Sequence, residues 1–413
     1  KRIAPAPQIS IGKIVNIRFL ATLFVVVMSV FFLPLERTAI SPVKVGLMSF
    51  SVFIFVFRVP YISKALIWGI LYWSICLLCA LLQEYIRFST IGYLGMFIIF
   101  YITYYNLVYF GAFTFSSFIK LLQGLIIAYG VILILQQIAL LIGFHSLPPI
   151  NLVNQQFLAL TKLPSLSMEP SHSARILTVL MLSYLRCIEL TNNGVKPSIK
   201  TLFNVEHRWV TILFLWAMLT MGSGTAFVGL GLLCLYFIQW RTFIYVIPLL
   251  IGFLFCGQAL KFEQMDRVLR VTKTTITGNA KEIQVEDGSA ATRIIPIINT
   301  IKIDLSNKQS WFGNGTSSYE KASTGWMRTT DKIAIVEQYG LIAFIVSLIL
   351  VYTCVIHDFF SIETLVFLIL FGMSLTNIYY VWGTMMIFTA VRYFQIQDEK
   401  GILITNNELY ESN

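Results

Sequence analysis

Apolar residues along this chain gather into continuous runs separated by short polar links. Runs such as Leu66 to Leu82 and Leu121 to Gly143 are long enough, at about 1.5 Å of rise per helical residue, to cross a ~30 Å hydrocarbon core. They do not alternate in polarity, as the roughly ten-residue strands of a membrane barrel would. The pattern predicts an all-α polytopic membrane protein. Spans are expected near 15–34, 43–57, 65–82, 91–110, 119–143, 173–190, 209–221, 225–240, 242–260 and 333–356. A last apolar stretch, about 363–391, is too long for one ordinary helix. Asn377, Tyr379 and Tyr380 interrupt it, so it reads as a hairpin of two short helices, giving about 12 transmembrane helices. The first run, Ile17 to Leu33, is too long for the core of a cleavable signal peptide and lacks a small-residue cleavage site; it reads as the first span.

Placing the N-terminus in the cytoplasm puts most Lys and Arg of the short links inside, among them Arg58, Lys64, Arg186, Lys196, Arg208 and Arg392. Both termini are then cytoplasmic. Residues 1–260 carry helices 1–9 and a smaller outer loop at about 144–170. Residues 261–332 form a large outer loop of about 72 residues, 333–395 carry helices 10–12, and 396–413 are a cytoplasmic tail. An unstructured loop of that length is unusual, so the large loop is expected to contain short helices, one of them an interfacial helix over the apolar run Ile294 to Ile303.

Composition supports this organisation. Of 413 residues, 57% are hydrophobic and 12% charged, against about 25% charged in soluble domains, which excludes a soluble globular protein. The net charge of +10 follows from the excess of Lys and Arg on the inner side and needs no nucleic acid partner. All six cysteines lie in apolar runs, which disfavours a disulfide framework or a zinc site. The four histidines are scattered, and no metal or cofactor is expected.

The most informative stretch is Ser167-Met-Glu-Pro-Ser-His-Ser-Ala-Arg175, where the first outer loop meets the sixth span. Pro170 suits the first turn of a helix, which places Glu169 at or beside its N-cap. Glu169, His172 and Arg175 follow at i+3 steps and so lie near one face, a carboxylate, an imidazole and a guanidinium at a helix end that favours anions. The alternative is an interfacial anchor in which Arg175 pairs with Glu169. A second signal is Met221-Gly-Ser-Gly-Thr225, a tight outer link in which Ser223 and Thr225 offer hydroxyls near exposed backbone. A third is Arg328-Thr-Thr-Asp-Lys332 before the tenth span, followed by Glu337, which is either a catalytic or binding carboxylate or the ion-pair partner of Arg175 or Arg328. Arg293 is a further loop arginine able to hold a phosphate group.

At these residues the chain resembles bacterial O-antigen polymerases, within the O-antigen ligase and polymerase superfamily. Glu169-Pro-Ser-His-Ser-Ala174 is similar to a motif that opens a span after an outer loop in those enzymes. Leu219 to Leu232 resembles the family's Ser-Arg-Thr-Gly helix start. Trp311-Phe-Gly-Asn-Gly315 and Val336-Glu-Gln-Tyr-Gly340 look like the landmarks that bracket the end of its large periplasmic loop. The likeness covers about residues 150 to 390. Two departures disfavour the ligase branch: Ser223-Gly224 stands where ligases have Ser-Arg, and Thr329-Thr330 where they have His-Asn.

The resemblance implies a GT-C-type helical scaffold in the bacterial inner membrane. It implies polymerisation of undecaprenyl-diphosphate-linked oligosaccharide repeat units into O-antigen or a similar surface polysaccharide, without metal or nucleotide sugar. Both donor and acceptor would be lipid-linked, and a chain-length regulator protein is a possible partner. Arg175, Arg293 or Arg328 would supply the phosphate ligand missing at Gly224. Transfer with inversion needs a base, Glu169 or His172, and positive charge on the leaving diphosphate. The alternatives are a polysaccharide-lipid flippase or other transporter, and an O-antigen ligase.

Overall fold

Backbone surrounded by apolar side chains or lipid has to satisfy its own N–H and C=O groups, and a helix does so within one segment. The structure, a computed structural model, describes residues 11–31, 42–83, 87–143, 162–238, 288–315 and 332–402, without the side chains of 11–16 and 288–294. Among the described residues all regular structure is helical. The helices are α1 (Ile11–Ser29), α2 (Pro42–Arg58), α3 (Lys64–Leu81), α4 (Phe88–Tyr109), α5 (Phe115–Leu141), α6 (Pro170–Thr191) and α7 (Ile199–Leu202). They continue with α8 (Arg208–Thr220), α9 (Gly224–Phe237), α10 (Gly288–Ile301), α11 (Lys308–Phe312), α12 (Ala334–Cys354), α13 (Ile362–Phe371) and α14 (Tyr379–Glu399). Four of them, α3, α4, α5 and α12, are long and apolar enough to cross a membrane by length and composition. Helices stand near the expected span positions throughout the described residues; 242–260 lies outside them.

The last apolar stretch forms two helices, as expected, with a link at 372–378 that contains Asn377 and ends where Tyr379 opens the next helix. The chain leaves α13 at Gly372 in the left-handed conformation (φ 59°), followed by Met373 at φ 51°, and re-enters a helix at Tyr379. Tyr379 and Tyr380 therefore begin α14. The helix is 21 residues long and runs to Glu399, past the position where the cytoplasmic tail was expected to start. In the large loop, α10 begins six residues before the expected apolar run. A turn then leads to α11, in which the Ser306 backbone and hydroxyl both donate to Asp304, holding its carboxyl below the ordinary range.

Two helices form the centre: α6 packs against α5, α9 and α14, and α14 also meets α1 and α4. Small residues bring these backbones together, the usual device where lipid removes the hydrophobic incentive for association. A Cβ on Gly383 of α14 would stand 2.7 Å from the Met28 carbonyl oxygen of α1, and one on Gly229 of α9 would stand 2.1 Å from the Thr178 hydroxyl of α6. Buried polar groups find partners across helices: Tyr101 meets Thr389 at 2.9 Å, and Asn106 donates to the carbonyls of Val59 and Tyr61 at 3.0 and 2.9 Å. On the outside of the bundle Phe50, Phe53 and Phe57 of α2 are exposed together. Such a face suits a hydrocarbon solvent and not water.

The far end of α6 is tied down by charge. Arg186 donates to both carboxylate oxygens of Glu363 on α13, at 2.6 and 3.0 Å, and to Glu189 at 2.8 Å; Tyr236 of α9 donates to Glu189 at 2.7 Å. Removing Glu363 takes away two of the three carboxylate hydrogen bonds of Arg186 and leaves it with Glu189 alone, at a cost of about 1.5–3 kcal/mol per charged hydrogen bond. Glu363→Ala is therefore expected to lower the thermal unfolding midpoint in detergent markedly. An unchanged midpoint would mean that the pair does not hold α13 in place.

Candidate functional site

The first turn of α6 forms as the sequence predicts. Pro170 occupies the first helical position and Glu169 is the N-cap residue, in extended conformation, its side chain making no capping bond. That leaves the carboxylate for other partners: Glu169 Oε2 lies 3.8 Å from His172 Nε2 and accepts from the Ser171 hydroxyl at 3.3 Å. Arg175 does not join this pair. Its guanidinium donates to the Tyr380 hydroxyl, with Cζ 5.2 Å from the centre of that ring, while the His172 ring sits 4.4 Å from the same ring. The side chain of Tyr380 thus stands beside both His172 and Arg175. Among the described residues no carboxylate pairs with Arg175, and its Nε is buried without a hydrogen-bond partner.

Arg175 opens onto a cavity of about 440 Å³. Its walls come from the opening turns of three further helices, at Thr90 of α4, Ala334 of α12 and Tyr380 of α14, and from the last turn of α13 with the link that follows it. Pro296 and Ile297 of α10 complete it from the large loop. Each helix start presents unpaired N–H groups and the positive end of a helix dipole and so favours an anion, whereas the last turn of α13 brings the negative end of its own dipole to the cavity. The link contributes hydroxyls: Ser374 Oγ and Thr376 Oγ1 are buried without a hydrogen-bond partner among the described residues. Beyond the Tyr379–Tyr380 pair, Lys44 of α2 is fully buried, with Nζ 4.3 Å from the Tyr379 ring centre and 5.0 Å from that of Phe31.

The two glycine motifs meet. Gly313 (φ 79°) and Gly340 (φ 81°, ψ 179°) face one another, and Gly340 interrupts α12. A break there removes the N–H groups that would cap the carbonyls of Glu337 and Gln338. The loop replaces them: Asn314 N–H donates to the Glu337 carbonyl at 2.7 Å and Gly315 N–H to the Gln338 carbonyl at 3.1 Å. Asn314 Nδ2 also donates to Glu337 Oε1 at 2.9 Å, and Gln83, just past the end of α3, donates to the carbonyls of Phe312 and Gly313 at 3.2 and 2.5 Å. Glu337 thus fastens the large loop to α12, while its neighbour Gln338 lines the cavity.

Of the residues expected from sequence, Glu169, His172 and Arg175 come together around Tyr380. Ser223 is the N-cap residue of α9 without a capping bond, and Thr225 is buried in the first turn of that helix. Neither lines the cavity. Arg293 lies in α10, its side chain outside the description, and Arg328 lies outside the described residues altogether. Sequence reasoning passed over Ser374, Thr376, Gln338 and Lys44. The cluster Ser374, Thr376, Asn377 inside an apolar stretch was the available signal for the first two; for Lys44 it was a lone cation inside the span expected near 43–57. No protein-family model, curated protein or solved structure matches this chain.

Proposed function

We propose that the chain polymerises undecaprenyl-diphosphate-linked oligosaccharide repeat units into O-antigen or a similar polysaccharide at the periplasmic face of a bacterial inner membrane. The observation that carries this reading is Arg175: a partly buried cation with no carboxylate partner among the described residues, facing a cavity to which three other helices bring their starts, one helical turn from a carboxylate–imidazole pair. A buried charge without a counter-charge is costly, and an anionic ligand relieves that cost. A diphosphate satisfies the guanidinium and the helix dipoles together. In this account the bundle has about twelve spans on a GT-C-type scaffold with both termini cytoplasmic, and the apolar grooves between spans hold the polyprenyl tails. Arg293 and Arg328, from the large loop, add charge around the ligand.

The reaction needs no metal in this account. The hydroxyl of a terminal sugar on the acceptor attacks the anomeric carbon of the donor. As that C–O bond forms, the bond from the anomeric carbon to the diphosphate oxygen breaks, and the electron pair leaves with the diphosphate, held by Arg175. The proton of the attacking hydroxyl passes to the Glu169–His172 pair. Groups that act as one unit lose their effect together. Glu169→Gln and His172→Gln are each expected to slow polymer formation by about 10²–10⁴-fold, the usual worth of general-base catalysis, with the double variant no slower than the worse single. Initial rates in membranes supplied with lipid-linked units measure this, and additive losses would dissolve the proposed unit.

One observation favours the transporter reading. The interruption of α12 at Gly340 is the kind of broken helix that transporters place around a substrate. Here, however, the carbonyls freed by the break are taken by Asn314 and Gly315 of the loop and are not offered to a ligand. The break serves loop attachment.

A further inference from the structure

The link between α13 and α14 is a polar segment in an apolar stretch that lines the cavity of Arg175, and the proposed reaction gives its hydroxyls no role. Gly372 and Met373 in positive-φ conformation turn the chain out of α13, and Leu375 is buried behind the link, its carbonyl accepting from Tyr72 at 2.7 Å. The Asn377 amide donates to the Thr90 carbonyl at 2.9 Å, which fixes the link against the start of α4, and Trp382 donates to the Thr376 carbonyl at 2.8 Å. The link is thus anchored at three points, twice through its backbone and once through the Asn377 side chain. Within this frame two side-chain hydroxyls stay unsatisfied: Ser374 is 8% exposed, Thr376 Oγ1 is buried, and neither hydroxyl has a hydrogen-bond partner among the described residues. Both residues line the 440 Å³ cavity, as does Gln338 on the α12 side.

Unsatisfied buried hydroxyls are costly in an empty site, and their usual explanation is a missing polar partner. That partner is not the anion alone. A hydroxyl is a neutral donor and acceptor, suited to other hydroxyls, and Phe371 and Tyr380 line the same cavity. We infer that Ser374 and Thr376 form a sugar subsite: they bind hydroxyls of the monosaccharide attached directly to the diphosphate that Arg175 holds, with Tyr380 between the two halves of the ligand. The subsite selects a glycosylated lipid diphosphate over the bare carrier, which favours binding of a donor and release of the spent lipid. This rests on the proposed function for the identity of the anion, and it adds the residues that read the sugar.

The test compares two probes on the purified, detergent-solubilised chain: the lipid-linked oligosaccharide extracted from cells that make this protein, and undecaprenyl diphosphate without sugar. The variants are Ser374→Ala/Thr376→Val and Arg175→Ala. Two lost neutral hydrogen bonds are expected to weaken binding of the oligosaccharide lipid roughly ten- to thirtyfold while leaving the bare carrier within about twofold. Arg175→Ala weakens both probes. Because the two hydroxyls have no partner to lose among the described residues, the double variant without ligand is expected to unfold at the wild-type temperature or slightly above it, which a structural role for the hydroxyls would not allow. Equal weakening of both probes, no weakening of either, or a destabilised ligand-free double variant would overturn the sugar subsite. If the wild-type chain binds neither probe, the proposed function fails and takes this inference with it; if it binds the two equally, only the sugar subsite is lost.

Discussion

Arg175→Ala is expected to abolish polymer formation while the chain remains folded and abundant in the membrane. The guanidinium makes one hydrogen bond within the described residues, to Tyr380, and its Nε makes none. Removing it therefore relieves a buried charge and breaks no ion pair, so stability is expected to hold. Activity is expected to fall, because the charge that stabilises the departing diphosphate is gone. Loss of a single preorganised stabilising group of this kind lowers turnover by about 10²–10³-fold, and a full positive charge in a site of low dielectric belongs at the upper end. Arg175→Lys keeps the charge but not the planar fork that meets a phosphate with two bonds, and is expected to recover only part of the rate. Rates per mole of membrane-inserted protein provide the check. Wild-type polymer from Arg175→Ala would remove the phosphate site from this cavity.

The second large effect is expected on folding. At Gly340 an added Cβ would stand 2.1 Å from the Trp311 carbonyl oxygen and 2.5 Å from Phe312 N, both of them backbone. Backbone cannot swing aside as a flexible side chain does. The φ of 81° with ψ of 179° is in addition a region open essentially to glycine alone, at a cost of about 1–3 kcal/mol for any other residue. Gly340→Ala is expected to detach the Trp311–Gly315 segment from α12, leaving the carbonyls of Glu337 and Gln338 without their donors. The expected outcome is chain that elutes as aggregate on size-exclusion chromatography in detergent, or that unfolds well below the wild-type temperature. Ordinary elution and an unchanged midpoint would mean that the two motifs do not pack as described.

Much of the helical architecture was legible because it depends on local sequence. Runs of apolar residues name their own helices, and the start of α6 could be read from one dipeptide, Glu169-Pro170, since proline fits the first helical turn and little else in that context. The break before α14 was legible at its later end, where Asn377 lies in the link and Tyr379 opens the helix. Its beginning, at Gly372 and Met373, was not, because a glycine in an apolar run carries no mark that tells a left-handed cap from a packing contact. The site itself was half legible. Glu169, His172 and Arg175 share a helix face by spacing alone, but the partner of Arg175 is Tyr380, far along the chain, and no local pattern announces such a pairing. The two glycine motifs were visible as landmarks, whereas their contact depends on two positive-φ residues meeting across a loop. Lys44 went unread: it stands near the start of an expected span, and its burial beside Phe31 and Tyr379 depends on contacts from elsewhere in the chain.

The central claim is tested most directly by supplying the purified chain in detergent with lipid-linked repeat units, in the absence of metal and nucleotide sugar, and separating the products by size on a gel. The account predicts a ladder of chains growing by one repeat unit per step, absent with Arg175→Ala. No ladder, from a chain that instead moves labelled lipid-linked sugar across liposomes, would contradict it and assign the Glu169, His172 and Arg175 face to transport.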